Sequence, residues 1–383
     1  MTLAISTKIH SASAVLTAEG LVPSFARNAA IHDRDNSFVA DNYTALKAAG
    51  LVRAAVPLEL GGGGAAVREL AEMLRTLAHG CGSTALAFAM HTHQVAIPAW
   101  RWRHRPETRP VTEPLLLRIA GENIVIATSG GSDWIGGSGR AEKVEGGYRI
   151  HARKIFASSS PVADLFMTSA IADEDGASKV LHFGLSMSSP QIKVLDTWDC
   201  LGMRGTGSHD IEIDGAFVPN EKVALKRPAG LWHPLFQIIG TIAFPLIYSV
   251  YLGVAESAAA LALETARRKP ADARQRRLAG HMETELAAAG FAREAMVAEA
   301  ERNEPGEISI NRVMIGRRLV EEHAIRAVEL AMELAGGGGF YRGSGLERHF
   351  RDIQGARYHP MLPEVQYEYA GALALGQPVA NIY

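Results

Sequence analysis

The sequence predicts an α+β protein built in three successive zones: helical, then β, then helical. Apolar residues recur at three- and four-residue steps near both ends of the chain, and they alternate with polar residues in the middle. The middle zone has short β-type segments with no helix between them, which is typical of an antiparallel sandwich or barrel. We expect an N-terminal helical domain over 1–118, a central antiparallel β-domain over 119–228 and a C-terminal helical domain over 229–383.

Glycines mark the ends of the N-terminal helices. TALKAAGL (44–51) and VRELAEMLRTLAHG (67–80) have helical apolar periods, and Gly50 and Gly80 suit their C-terminal ends. Residues 84–100 are apolar nearly all round, which predicts a buried helix.

The C-terminal zone returns to the helical period. VMIGRRLVEEHAIRAVELAMELA (313–335) carries a wide apolar stripe and should stop at Gly336. The stretch FQIIGTIAFPLIYSVYLGV (236–254) is strongly apolar, but it holds Gly240 and Pro245 and continues into an amphipathic pattern. We expect a buried core helix there and no membrane partner.

Alternation of polar and apolar residues marks the central strands. Glu145-Gly146-Gly147 is typical of a hairpin turn between two of them. The candidate strands are IVIAT (124–128), YRIHARKIFA (148–157), DLFMTSAIA (164–172), VLHFGLS (180–186) and HDIEIDGAFVP (209–219).

Composition narrows the class of protein. Of 383 residues 47% are hydrophobic, and the formal net charge of −2 gives no electrostatic reason to expect a nucleic-acid partner. Cys81 and Cys200 cannot form a disulfide framework, so a reducing cytoplasm is expected. The first twenty residues have no long apolar core, so we expect no secretion signal.

Several common site motifs are missing from the sequence. There is no Walker-A or Gly-x-Ser-x-Gly pattern, and the glycine runs at 61–64 and 336–339 lie outside strand–turn–helix settings. His91 and His93 are two residues apart, which puts them on different sides of a helix. We expect no metal site.

Two stretches of the central zone could bind a planar ligand. TSGGSDW (128–134) follows a strand and offers backbone N–H groups and hydroxyls, suited to a phosphate or a carbonyl, or it is a plain turn. In KIFASSS (154–160), Phe156 and Ser158 share one face of a strand. They would line a planar ring, or they are a core Phe and a surface Ser.

LGMRGTGSHDIEIDGAFVP (201–219) resembles the middle-domain signature of the acyl-CoA dehydrogenase superfamily. VPLELGGGG, TSGGSDW, KIFASSS and GGGGFYRGSGLERHFRD (336–352) extend the resemblance over nearly the whole chain. The resemblance implies an N-terminal helical domain, a central β-domain and a C-terminal four-helix bundle. It also implies a flavin held between the β-domain and the C-terminal helices, a small-molecule substrate and a homotetramer.

The resemblance assigns flavin contacts residue by residue. Thr128 and Ser129 match the strand at the flavin pyrimidine edge, Phe156 stands where many members have Trp, and Ser158 where a hydroxyl approaches N5. The turn that holds the adenosine half from a neighbouring subunit, and the arginine for the diphosphate, match Gly336, Gly337, Gly339, and Arg267 or Arg268.

FAD is the expected cofactor, with FMN as the alternative. Two departures from the family motifs bear on this choice. The sequence RRKPADARQ replaces the family's Arg-x-x-Phe-Gly pattern, and its Thr-Glu-Pro is shortened to Thr128-Ser129.

The usual catalytic carboxylate is missing from this chain. Acyl-CoA dehydrogenation needs a base for the α-proton, and typical members place a Glu nine residues after the Arg of an Arg-Asp pair. Counting from Arg351 gives Pro360, and the helix stretch 239–253, which supplies the Glu in some relatives, contains no acid. Glu364 and Glu368 remain as displaced bases, or they are solvated acids of a helix surface.

His359 points to a different reaction. The flavin-dependent monooxygenase branch of the superfamily resembles this chain in its Phe-x-Ser segment and in a C-terminal His. In that branch reduced flavin and O₂ give a C4a-hydroperoxide, which a neutral imidazole and a hydroxyl stabilise. His359 and Ser158 would be the catalytic pair. Otherwise His359 simply fills a helix start before Pro360.

Three hypotheses therefore stand. The first is a flavin-dependent oxidoreductase with oxygen-activating or other non-standard chemistry, served by a separate flavin reductase or electron acceptor. The second is an acyl-CoA dehydrogenase with a displaced base, and the third is a flavin-free binding or scaffold protein. His91, Ser132 and Trp232 are candidates to contact the substrate, or they belong to the core.

Overall fold

The computed structural model describes residues 13–129, 131, 133–268, 270, 272–379 and 382. The candidate residue Ser132 lies outside these ranges.

Five helices form the N-terminal part of the protein. The third ends at Gly80 and the second ends just before Gly50, whose φ of 73° is left-handed, so both predicted ends are confirmed. The fourth helix is buried on nearly every side, as its composition predicts. The helices are α1 (Ala14–Asp35), α2 (Ala40–Ala48), α3 (Val67–Gly80), α4 (Gly82–His104) and α5 (Arg109–Glu122).

The central part is a sheet of eight strands in the order β6-β7-β3-β2-β4-β5-β8, with β1 also paired to β4. Most pairs are antiparallel, as expected, but β1 and β2 both run parallel to β4, so the sheet is mixed. Glu145-Gly146 forms the predicted hairpin turn. The strands are β1 (Ile126–Thr128), β2 (Arg140–Val144), β3 (Gly147–Lys154), β4 (Leu165–Glu174), β5 (Ala177–Ser186), β6 (Ile192–Val194), β7 (Ile211–Pro219) and β8 (Leu225–Pro228).

Helices return after the sheet. The long α6, α7 and α8 pack against one another, and α3 and α4 pack on α6. One helix in the described part of the chain, α6, is long and apolar enough to cross a membrane, and 89% of its most apolar window is buried inside the protein. This is the expected core helix. The helices are α6 (Leu235–Ala266), α7 (Ala273–Glu301), α8 (Glu307–Ala335), α9 (Leu346–Ile353) and α10 (Pro363–Ala374).

The Arg-Asp pair at 351–352 joins all three parts. The Arg351 guanidinium donates to the Asp33 carboxylate of α1 at 2.6 Å. The Asp352 carboxylate accepts the Met203 N–H at 2.5 Å, in the loop that carries LGMRGTGS (201–208), which we call the signature loop. Gly202 allows this approach, because a Cβ there would lie 2.2 Å from the Arg351 carbonyl oxygen.

We predict that Asp352→Ala destabilises the protein by about 1–3 kcal/mol, because it leaves the buried Met203 N–H unpaired. Asp352→Asn keeps an oxygen for that N–H and should retain most of the stability. Chemical denaturation at pH 7 measures both variants. Equal losses for Ala and Asn would contradict this account of the hydrogen bond.

The free energy of unfolding of wild type relative to Asp352→Asn should also depend on pH. Burial raises the pKa of Asp352 to about 6. Between the unfolded value of about 3.9 and that value the native state binds the extra proton, so the acid's contribution to stability improves as pH falls from 7 to 5. Wild type should therefore gain stability relative to Asp352→Asn on acidification.

Candidate active site

Residues 354–359, which we call the histidine segment, lie against one face of α6. A 3₁₀ turn spans Gln354–Tyr358, and His359 follows in extended conformation. The Tyr248 hydroxyl donates to the Ala356 carbonyl at 2.8 Å, and the Tyr251 hydroxyl lies 2.7 Å from His359 Nε2. His359 does not start a helix, since α10 begins only at Pro363. The helix-start interpretation of His359 is therefore wrong.

A buried ion pair on α8 holds the backbone of the same segment. Arg317 donates to the His359 carbonyl at 2.6 Å. Its other terminal nitrogen lies 3.0 Å from Glu321, and the two side chains are 0% and 2% exposed. The guanidinium also lies over the Tyr248 ring, 5.2 Å from its centroid. The position of His359 is thus set by both α6 and α8.

The surroundings of His359 disfavour its charged form. Burial is the largest cause, followed by the positive charge of Arg317, and together they lower the pKa of His359 to about 3. A smaller contribution comes from His93 of α4, which is therefore close to His359 in space. At neutral pH the site presents a neutral imidazole, which can donate one hydrogen bond and accept another.

The histidine segment forms one wall of the candidate site. The second wall is formed by the segment that follows β3. Ser158 is buried, and its hydroxyl lies 2.8 Å from that of Ser208, which in turn lies 2.7 Å from the Thr206 hydroxyl. These two partners belong to the signature loop. Ser158 is therefore not a surface Ser, but the first of three linked hydroxyls that can exchange donor and acceptor roles.

Phe156 is 53% exposed, so it is not a core Phe. Its backbone has a φ of 57°, which is uncommon for an aromatic residue and turns the chain after β3. Trp198 packs edge-on against its ring at 6.0 Å between centroids. An accessible aromatic ring two residues before the first of three linked hydroxyls can flank an uncharged planar heterocycle such as a flavin ring.

Thr128 and Ser129 end β1 inside the protein. The Ser129 hydroxyl is bonded to Asp133 at 3.0 Å and to the Thr168 hydroxyl at 2.8 Å. Asp133 also forms a buried ion pair with Lys154 at 2.5 Å. These bonds engage the Ser129 hydroxyl within the protein, so the main chain of this segment is what a ligand could contact.

His91 is buried and contacts the main chain of two other segments, and its part in substrate binding stays a prediction. Its Nε2 lies 2.8 Å from the Val52 carbonyl, and its Nδ1 accepts the Ile126 N–H at 3.1 Å. Both ring nitrogens are engaged by the main chain, and burial lowers the pKa of His91 to about 4. The sequence alone could not show this, because the partners come from a distant loop and from β1.

Trp232 belongs to an aromatic cluster away from the histidine segment. Its ring centroid lies 5.4 Å from that of Phe236, 5.4 Å from that of Tyr369 and 5.7 Å from that of Trp134. Its part in substrate binding stays a prediction.

The predicted diphosphate and adenosine contacts lie on the protein surface. Arg267 and Arg268 are exposed at the end of α6, and Arg268 pairs with Glu264 at 3.1 Å. Gly336 and Gly337 are exposed in the 3₁₀ turn after α8, whereas Gly339 is buried. The part of these residues in binding a flavin stays a prediction.

The displaced-base candidates, Glu364 and Glu368, are both exposed on α10. Glu321 of α8 is buried, but its carboxylate is paired with Arg317 and Arg318. Sequence reasoning missed several residues of the candidate site: Tyr248, Tyr251, Arg317, Trp198, Thr206 and Ser208. Two phenols three residues apart in an otherwise apolar helix were the one usable signal for the tyrosines.

Comparisons with known proteins agree with this architecture. A model of the N-terminal domain of acyl-CoA dehydrogenases matches residues 17–102, and a model of the C-terminal domain matches 246–364. The chain is 28% identical to the amino sugar nitrososynthase DnmZ of Streptomyces peucetius over 94% of its length and 92% of that protein. It is 25% identical to a pigment production hydroxylase of a Rhodococcus species, over 94% and 96%.

A solved structure is similar along nearly its whole length. The X-ray structure of KijD3 in complex with FMN and a dTDP-linked amino sugar has a TM-score of 0.86 and 28% identity, and the match covers 96% of this chain and 94% of that one. With its helical, β and helical parts and both matching domains, the chain belongs to the acyl-CoA dehydrogenase superfamily of flavin-dependent oxidoreductases.

Proposed function

We propose that this protein is a flavin-dependent monooxygenase that uses reduced flavin and O₂ to oxidise a small molecule. The observation that carries the proposal is a neutral His359, bonded to Tyr251, in the region where a dehydrogenase would need a carboxylate. Relatives named as a nitrososynthase and a hydroxylase support the same branch. The amine of a nucleotide-linked sugar is the first substrate class to test.

The bound flavin would supply electrons to O₂. Phe156 would flank its ring, Ser158 would offer a hydroxyl, and the main chain after Thr128 would bind its polar edge. His359 would donate a hydrogen bond without removing a proton from carbon, because a neutral imidazole with a low pKa is a weak base. The surrounding apolar wall of α6 would exclude water from the reaction.

FMN is the flavin we propose. The Arg-x-x-Phe-Gly pattern that the resemblance assigns to the diphosphate is missing, which favours the flavin with a single phosphate. The KijD3 structure contains FMN. Arg267 or Arg268 would bind the phosphate, and the turn that begins at Gly336 would lie against a neighbouring copy.

The proposal includes a separate reductase and a cytoplasmic location. The sequence has no glycine fingerprint for a nicotinamide dinucleotide after a strand, so electrons would arrive as reduced flavin. A homotetramer is also part of the proposal, because large apolar side chains of the C-terminal part are exposed: Phe291, Phe340 and Tyr341 are 76%, 84% and 75% exposed.

The central experiment follows reduced enzyme after it is mixed with O₂. We expect O₂ to be consumed before the absorbance of oxidised flavin returns, and we expect His359→Ala to shorten that interval by about tenfold or more, because a positioned donor is lost. Stopped-flow absorbance with an oxygen probe measures both events. His281→Ala, at an exposed histidine of α7, is the control and should behave as wild type.

Two outcomes would overturn the proposal. No interval between the two events in wild type would exclude oxygen activation. Bleaching of the flavin by an acyl-CoA without oxygen would favour the dehydrogenase hypothesis with a displaced base. Failure to bind either FMN or FAD would instead support a flavin-free scaffold.

Phe156→Ala should weaken FMN binding by up to about tenfold, the usual worth of one aromatic contact. Phe156→Trp should retain the affinity, and FMN should bind more tightly than FAD. Quenching of flavin fluorescence gives the dissociation constants. Phe217→Ala is the matched control, because Phe217 lies on the same sheet with 50% exposure; an equal loss there would argue against a specific ring contact.

Light scattering of the purified protein should give the mass of a tetramer. Phe340→Asp should lower that mass, since a charge would have to be buried in the contact. Leu58→Asp, at a side chain 68% exposed in the N-terminal part, should leave it unchanged. A monomeric wild type would contradict the proposed assembly.

A further inference from the structure

The hydrogen bond between Tyr251 and His359 decides which ring nitrogen of His359 carries its proton. The phenol oxygen and Nε2 are 2.7 Å apart, and either group could formally donate. A neutral imidazole has one N–H, so if Nε2 accepts this bond, the proton must be on Nδ1.

The phenol has a single hydrogen to place. In the described residues, His359 Nε2 is the one hydrogen-bond partner found for the Tyr251 hydroxyl. If Nε2 donated instead, the phenol hydrogen would have no acceptor on the buried face of α6, where an unpaired donor costs free energy. Donation by Tyr251 to Nε2 satisfies both groups.

Neither group exchanges its charge state near neutral pH. Burial raises the pKa of Tyr251 well above its usual value, so the phenol stays protonated. Burial and Arg317 lower the pKa of His359 to about 3, so the imidazole stays neutral. The pair is therefore a neutral donor and a neutral acceptor throughout the range in which the protein would work.

The backbone is shaped for this contact. A Cβ at Gly355 would lie 2.8 Å from the Tyr251 hydroxyl oxygen, so glycine makes room for the phenol beside the histidine segment. Arg317 fixes the carbonyl of His359, and Tyr248 fixes that of Ala356. His359 is thus held both by its backbone carbonyl and by Nε2 of its ring.

We propose that Tyr251 is a positioning residue that holds His359 in the tautomer with its proton on Nδ1, and that Nδ1–H is the donor offered to the reaction. The value of that donor to oxygen activation rests on the proposed function, whereas the tautomer itself does not. Tyr251 acts only through His359, so it need touch neither flavin nor substrate.

The test is ¹⁵N NMR of ring-labelled histidine, with the His359 signals assigned by their loss in His359→Gln. Wild type should show an unprotonated Nε2 and a protonated Nδ1. In Tyr251→Phe the two nitrogens should move toward averaged shifts, because both tautomers become accessible. Tyr248→Phe is the matched control: it removes a phenol from the same helix face, yet that phenol binds Ala356, so the tautomer should persist.

A protonated Nε2 in wild type, or unchanged shifts in Tyr251→Phe, would overturn the inference. The oxygen experiment on Tyr251→Phe then separates the two claims. We expect the interval before flavin reoxidation to shorten by about two- to tenfold, as for the loss of one neutral hydrogen bond. If wild type has the predicted tautomer but shows no such interval, the proposed function is wrong and the tautomer assignment still holds.

Discussion

The contact between α9, which directly precedes the histidine segment, and the signature loop is the constraint on which the site depends. It is made at van der Waals limits, since any side chain at Gly202 would overlap the Arg351 carbonyl, and it is fixed by the bond from the Met203 N–H to Asp352. The same loop provides Thr206 and Ser208 to Ser158. One junction therefore sets the positions of both walls, although these walls belong to different parts of the chain.

The polar groups of the two walls are neutral, which limits the chemistry. The Arg317 guanidinium that binds the His359 carbonyl is paired with Glu321, and Ser158, Ser208 and Thr206 offer hydroxyls. Such groups can donate and accept hydrogen bonds at a developing charge, but hydroxyls and a neutral imidazole with a low pKa are weak bases toward a proton on carbon. Pro360, where the resemblance places a carboxylate, follows the neutral His359.

The order of the helical and β parts could be predicted because periodicity and glycine ends are local properties of the sequence. The partners of His359 could not. Tyr251 lies more than a hundred residues before His359, and its position in the sequence is typical of one more apolar residue of a core helix. Arg317 and Glu321 are four residues apart, a spacing typical of an ion pair on an exposed helix face. The two backbone partners of His91 could not be predicted for the same reason, because they are set only by tertiary packing. Family resemblance proposed Ser158 and His359 as site residues, but it carried no information about what orients them.

The Arg317 side chain is 0% exposed, and burying its charge costs free energy unless the charge is paired and hydrogen-bonded. Here it has three simultaneous contacts: the Glu321 carboxylate, the Tyr248 ring and the His359 carbonyl. A neutral side chain could not bind the carbonyl and at the same time oppose protonation of the imidazole. The guanidinium therefore couples position to protonation state. Burial is the larger cause of the low pKa of His359 and the Arg317 charge adds to it, so the guanidinium helps to keep Nε2 unprotonated as the acceptor for Tyr251.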